Sequence, residues 1–256
     1  MRVVDDLNAG LYRLMEQDPR LHVIGEDVSD PYGGAFKVTK GLSSRFPDRV
    51  ISMPISEASI VGFATGTAMR GSPTIAEIMF GDFMSLTMDQ LLNPASKMEW
   101  MYNGTVRVPL IVRTPMGGGR GYGPTHSQSL EKHFCGIPGL SVFAIHEYTA
   151  PSELLFRAYR LRQPCLLIEN KLLYPRLVKA PDCLPKYESP DILLVSYGAG
   201  VELCRATAMR LHNEEEIDAE VIAITWIRRE DAVSGLKGLQ SGGPGEYRFC
   251  EAFYHR

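Results

Sequence analysis

R-V-I-S-M-P-I-S-E-A-S-I-V-G-F-A-T-G-T-A-M-R-G, from Arg49 to Gly71, reads as strand, turn and helix in quick succession. Arg49 to Met53 is a short β-prone run that Pro54 ends, Ser56 stands at an N-cap, and Gly71 is a stop signal. Glu57 therefore falls in the first helical turn, where a carboxylate stabilises by roughly 0.3–1 kcal/mol through the helix macrodipole. That alone would account for an acid. The helix is almost uncharged until Arg70, however, and carries Gly62, Ala64, Gly66 and Ala68, small residues that cost helix propensity and suit close approach of another backbone. An apolar helix of this kind is expected to be buried. The carboxylate leading into it is then partly desolvated and requires a partner that uses its proton.

Outward from this stretch the chain alternates between apolar runs and amphipathic segments. Val4, Leu7, Leu11 and Leu14 recur at helical spacing and predict a helix from Val3 to Met15, ending near Asp18-Pro19. Buried strands are predicted at Leu21–Gly25, Pro73–Glu77, Val108–Arg113, Leu140–Ala144 and Cys165–Glu169, with a helix from about Ala150 to Leu161. A helix is also predicted to run from Ile78–Phe83 through Met88, Leu91 and Met98 to Met101. Near-continuous apolar strands alternating with helices predict an α/β fold, a mostly parallel sheet covered by helices. Pro175, Pro181, Pro185 and Pro190 punctuate a polar linker, after which Asp191–Ser196, Val201–His212 and Ala219–Thr225 make another β-α-β unit. The expected division is 1–174, a linker at 175–190, and a partial C-terminal domain at 191–256.

Composition narrows the function. With 27 basic and 30 acidic residues the net charge is −3, which points to neither nucleic acid nor an anionic membrane. Five scattered cysteines without a C-x-x-C pair read as reduced thiols. Acids occupy the N-terminal region where a signal peptide has its apolar core, so a cytoplasmic chain is expected. Glu26 and Asp27 follow a buried strand, where open α/β sheets place ligands, although loop acids are commonly just solvated. Thr114–Pro124 is glycine-rich but lacks the G-K-[ST] of a phosphate loop; it reads either as a surface connection or as a mobile loop at a site mouth. His126 follows it, ahead of the helical stretch S-Q-S-L-E-K-H-F, and His22, His146, His212 and His255 read as structural.

Several ordered motifs carry a resemblance to a known family. Glu57, Gly62-Phe63 and Gly66 match the E-x4-G-Φ-x-x-G signature of the pyrimidine-binding half of thiamin-diphosphate enzymes. A-E-I-M-F-G-D-F (Ala76–Phe83), M-D-Q (Met88–Gln90), T-H-S-Q-S (Thr125–Ser129) and P-G-L-S-V (Pro138–Val142) resemble β subunits of 2-oxo acid dehydrogenase E1 components, the branched-chain type above all. The resemblance implies the thiamin-diphosphate pyrimidine-binding fold followed by a partial transketolase-type C-terminal domain that stops short of the family's length. It implies that Glu57 hydrogen-bonds the pyrimidine ring and that His126 handles protons near the substrate. Phe83, in place of the aromatic after A-D, and Ile55 pack on the pyrimidine, while Met79 stands where the family has a glutamine. Glu26 belongs to a G-E-D turn near the cofactor and the subunit interface.

The family's diphosphate and Mg²⁺ anchor is a G-D-G followed by an Asn, and the similar Gly81-Asp82-Phe83 lies inside the pyrimidine-side motif instead. The resemblance therefore implies an α-type subunit in an α2β2 assembly, a lipoyl-bearing acyltransferase E2, and a 2-oxo acid substrate. A transketolase-like transfer, a decarboxylation without a lipoyl step, and a non-catalytic domain in which Glu57 only caps a helix remain open.

Overall fold

The computed structural model describes residues 1–227, so the last part of the expected C-terminal domain, 228–256, lies outside them. Six strands form one all-parallel sheet in the order β2-β1-β3-β4-β6-β5: β1 (His22–Gly25), β2 (Val50–Ser52), β3 (Thr74–Glu77), β4 (Leu110–Met116), β5 (Ser141–Ala144) and β6 (Cys165–Asn170). Side chains alternate between two cores. Val23, Ile75, Ile111, Leu167 and Phe143 pack in one with α1 (Val3–Gln17). Ile24, Ala76, Val112, Leu166 and Ile168 pack in the other with α2 (Glu57–Met69). The first core also takes Leu154, Leu155 and Ala158 of α3 (Pro151–Leu161). Both faces being covered, β3, β4 and β5 are buried at every position, which is why they read as apolar runs without alternation.

The chain leaves β1 for β2 on one side and returns through α2 to β3 on the other. This reversal leaves a crevice at the strands' carboxyl ends, the place where open α/β sheets bind ligands. Glu26, the turn before α2, the segment after Glu77, the glycine loop after β4 and Lys171 all lie at that edge.

Four sequence expectations are corrected. Ser56 is the N-cap of α2, but its hydroxyl donates to Ser59 Oγ at 2.8 Å rather than to the helix backbone. Helix α2 is half exposed in the single chain: Ile60, Val61, Ala64 and Ala68 are buried, whereas Phe63 and Gly66 face outward and nothing lies within 4 Å of a Cβ built on Gly66. The helix expected from Phe83 to Met101 is broken into a 3₁₀ segment (Gly81–Thr87), a turn of α-helix, a π segment (Leu91–Ala95) and a final α-helix (Ser96–Met101). Pro94 inside the π segment explains this, because it lacks an N–H for the α ladder. The stretch after His126 is helical only over Glu131–Phe134.

A second, two-stranded parallel sheet pairs β7 (Ile192–Ser196) with β8 (Ala219–Ala223), and α4 (Gly200–Glu215) packs on it. After β8 the chain returns to cover the edge strand β5: Ala144 N donates to Thr225 O at 2.9 Å and Ile227 N to Val142 O at 2.8 Å. Cys135 and Cys183 are free thiols, and Cys250 lies outside the described residues. Among the described residues no helix is long and apolar enough to cross a membrane.

Candidate active site

Glu57 opens α2 at the mouth of the crevice and is only 6% exposed. Its carboxylate forms no hydrogen bond among the described residues, which leaves it open to a donor from outside the chain. Glu26, at the end of β1, is likewise buried, and its Oε1 has no partner. Burial, reinforced by the charges of Glu57, Asp27 and Glu77, pushes the Glu26 carboxyl up to about 7. The two acids thus lie close enough for the Glu57 charge to add to the Glu26 shift.

The Glu26 shift has a consequence for stability. A carboxyl whose folded pKa lies near 7 against an ordinary 4.5 binds its proton more tightly in the folded chain. Stability is therefore full below pH ~4.5, falls as pH rises towards ~7, and levels off above; at ~1.4 kcal/mol per pKa unit the full loss is at most about 3–4 kcal/mol, of which about 2–3 kcal/mol falls between pH 5 and pH 8. Urea unfolding midpoints at pH 5 and pH 8 should show this loss in the parent and not in Glu26→Gln. Equal pH dependence in the two would remove Glu26 as its source.

Beneath these acids a buried ion cluster ties the sheet together. Arg113 on β4 donates to Glu77 on β3 and, through Nε and Nη2, to Glu169 on β6 at 2.8 and 2.5 Å. The Tyr174 hydroxyl donates to Glu169 Oε2 at 2.7 Å. Burial opposes the Arg113 charge, but the two carboxylates outweigh it and hold the guanidinium protonated. The Glu77 pKa is raised too, by burial against the pull of Arg113. The sequence clue to this cluster was an arginine within an otherwise apolar strand.

The structure brings Phe83 and His126 together. Their rings meet edge to face with centroids 5.3 Å apart, and Phe80 meets the same imidazole at 4.7 Å. Tyr122 packs edge-on against Phe80 at 5.7 Å. Thr125 Oγ1 and His126 Nδ1 lie 3.0 Å apart. Asp82 is buried and its Oδ1 accepts from the main-chain N and the Nε2 of Gln128, fastening the His126 segment to the end of β3. Met79 sits half-buried on the same edge, whereas Ile55 is 82% exposed. Sequence reasoning missed Phe80, Tyr122, Asp82 and Lys171, none of which stands out in a local pattern.

The histidines read as structural differ in setting. His22 lies 2.8 Å from Arg20 O and His212 pairs with Asp218, while His255 is outside the described residues. His146 is buried after β5, accepts from Tyr148 N, and burial lowers its pKa to about 4, so it is neutral at pH 7.

A parallel sheet with a buried carboxylate at the head of a crossover helix, and an aromatic and histidine cluster at the same end of the sheet, defines a class. Residues 3–176 match the family model described as transketolase, pyrimidine binding domain, and the chain belongs to that family. Within it the chain belongs with the β subunits of 2-oxo acid dehydrogenase E1 components. It is 36% identical to the pyruvate dehydrogenase E1 component subunit beta-1, mitochondrial, of Arabidopsis thaliana, over 90% of this chain and 67% of that one. It is also 36% identical to the 2-oxoisovalerate dehydrogenase subunit beta of Bacillus subtilis, over 95% and 77%. Among solved structures it resembles a split-gene transketolase in an inactive β4 tetramer, with a TM-score of 0.70 at 19% identity, over 93% of this chain and 76% of that one.

Proposed function

We propose that this chain is the β component of a thiamin-diphosphate-dependent 2-oxo acid dehydrogenase and holds the pyrimidine side of the cofactor. The observation that carries this reading is the buried Glu57 carboxylate without a hydrogen-bond partner. The residues at this edge fit the group: Glu26 Oε1 is a buried oxygen without a partner among the described residues, and Phe83 offers an aromatic surface beside His126. When bound, thiamin diphosphate supplies the carbon at which a 2-oxo acid loses carbon dioxide before its acyl group passes to a lipoyl carrier.

In this reading Glu57 holds a proton against the pyrimidine ring nitrogen, and Glu26, titrating near neutrality, keeps the shared pocket from carrying two full charges. Phe83, Met79 and Ile55 shield the ring from water, Ile55 gaining its packing only on assembly. His126 moves protons or stabilises charge at the substrate carbonyl and the lipoyl acceptor. The diphosphate and its Mg²⁺ fall to an α-type subunit, in an α2β2 assembly that delivers to a lipoyl-bearing acyltransferase. We take residues 1–174 as the pyrimidine-binding domain, 175–190 as its linker and 191–256 as belonging to a transketolase-like C-terminal domain, in a cytoplasmic protein.

Calorimetry tests the division of labour. The isolated chain is expected to bind thiamin diphosphate weakly or not at all, and the mixture with its α-type partner to bind at micromolar or lower concentration with Mg²⁺. Micromolar binding by the isolated chain would locate the diphosphate anchor here and overturn the assignment.

A further inference from the structure

Lys171, the residue after β6, is completely buried, yet among the described residues it forms no ion pair. Its ammonium makes one hydrogen bond, to the main-chain carbonyl of His126 at 2.5 Å, across 45 positions of sequence. Two aromatic rings flank it: Nζ lies 5.3 Å from the centre of the Phe80 ring and 5.7 Å from that of Tyr122. Burial lowers its pKa, Asp82 pulls the other way, and Arg120 adds to the lowering.

A buried cation with a single neutral acceptor is poorly explained by stability, since apolar residues of similar volume usually do as well or better. What the ammonium supplies is direction. The segment from Gly117 to Gln128 leaves the sheet through glycines with positive φ and includes the exposed Tyr122, so its own backbone is free to take many paths. It is fastened at few points. Gly117 N donates to Gln128 O, a Cβ at Gly117 would strike the Asn170 side chain, and Gln128 is held by Asp82. Between these ends Lys171 grips His126 itself, and Arg120 Nη1 returns to the Lys171 carbonyl at 3.2 Å.

We propose that Lys171 is a positioning residue for His126, its charge-assisted hydrogen bond fixing the imidazole edge-on against Phe80 and Phe83. The assignment rests on the reading of His126 given above. It predicts a signature separate from that of Glu57, because Lys171 acts through the histidine and not on the pyrimidine-side proton.

The test uses Lys171→Met, which retains the stem over Phe80 and Tyr122, and Lys171→Arg, which restores a cationic donor. In the complex with the α-type subunit, Lys171→Met should melt at or above the parental temperature. Amide exchange across residues 117–128 should quicken about tenfold to a hundredfold, the scale of one lost charge-assisted hydrogen bond. Turnover of the 2-oxo acid should fall by about tenfold or more, as in His126→Ala, with KM within about twofold and C2-proton exchange of bound thiamin diphosphate unchanged. Lys171→Arg should recover most of both losses. Unaltered loop exchange in Lys171→Met would overturn the proposal, as would a variant that fails to fold, because the ammonium would then serve stability. Quickened loop exchange in a complex whose parent never decarboxylates a 2-oxo acid would uphold the positioning contact and count against the reaction.

Discussion

Glu57→Gln, in the complex reconstituted with the α-type subunit, is expected to slow proton exchange at C2 of bound thiamin diphosphate by 10²–10⁴-fold, the usual scale of a positioned acid–base group. Glutamine has the shape of glutamate and retains an oxygen at the head of α2, so the helix should persist. If the carboxylate only complemented the helix dipole, the cost would stay at or below about 1 kcal/mol of stability with chemistry intact. The two roles separate because Glu57 is buried without a hydrogen-bond partner. Removing the charge relieves a desolvated acid beside Glu26 and should leave the melting temperature equal or slightly higher. Hydrogen–deuterium exchange at C2, compared in complexes of matched stability, decides the matter. Equal exchange rates would leave Glu57 as a helix-terminal acid and nothing more.

Arg113→Met should be the most damaging single change to the fold, destabilising by about 3–5 kcal/mol, the range found when one partner of a buried ion pair is removed. Glu77 and Glu169 would be left facing each other in the dry centre of the sheet, with only Tyr174 donating to Glu169. Their protonation would then become favourable. Folded-state carboxyl pKa values rise above the unfolded ones, so the variant should lose stability as pH rises above ~4.5 and regain part of it in acid. The triple variant Arg113→Met, Glu77→Gln, Glu169→Gln should recover much of the loss at neutral pH, because no unpaired charge remains. Urea denaturation across pH 5–8 measures both effects. A loss below 1 kcal/mol for the single variant, or no recovery in the triple, would show that the cluster does not bear on stability as the geometry indicates.

The sequence by itself determined the architecture and the main acid. Strands buried on both faces must be apolar throughout, so β1, β3, β5 and β6 were legible to within a residue or two, and the Pro54 to Gly71 punctuation placed Glu57 at the head of α2. The E-x4-G-Φ-x-x-G and T-H-S-Q patterns marked the region because they lie close together in the chain. Strand order was not legible: nothing local says that β6 inserts between β4 and β5, since that depends on which apolar edge is left uncovered. The break at Pro94 was missed because the surrounding Leu and Met spacing satisfied a helical period while the proline removed its hydrogen bond.

Tertiary structure alone decided the state of the site's charges. Glu26 read either as a solvated loop acid or as an acid at the ligand edge, and only its burial beside Glu57 in the folded chain pushes its carboxyl up to about 7. Lys171 carried no signal, because its only acceptor is a main-chain carbonyl, which no side-chain pattern records. Phe83 and His126 were separate entries in the motif order, and their edge-to-face contact exists because β3 and β4 pair in register and release both segments at the same end of the sheet. Periodicity reports which groups leave water; the identity of the neighbours that replace it, and hence proton affinity and orientation, is set only when distant segments meet.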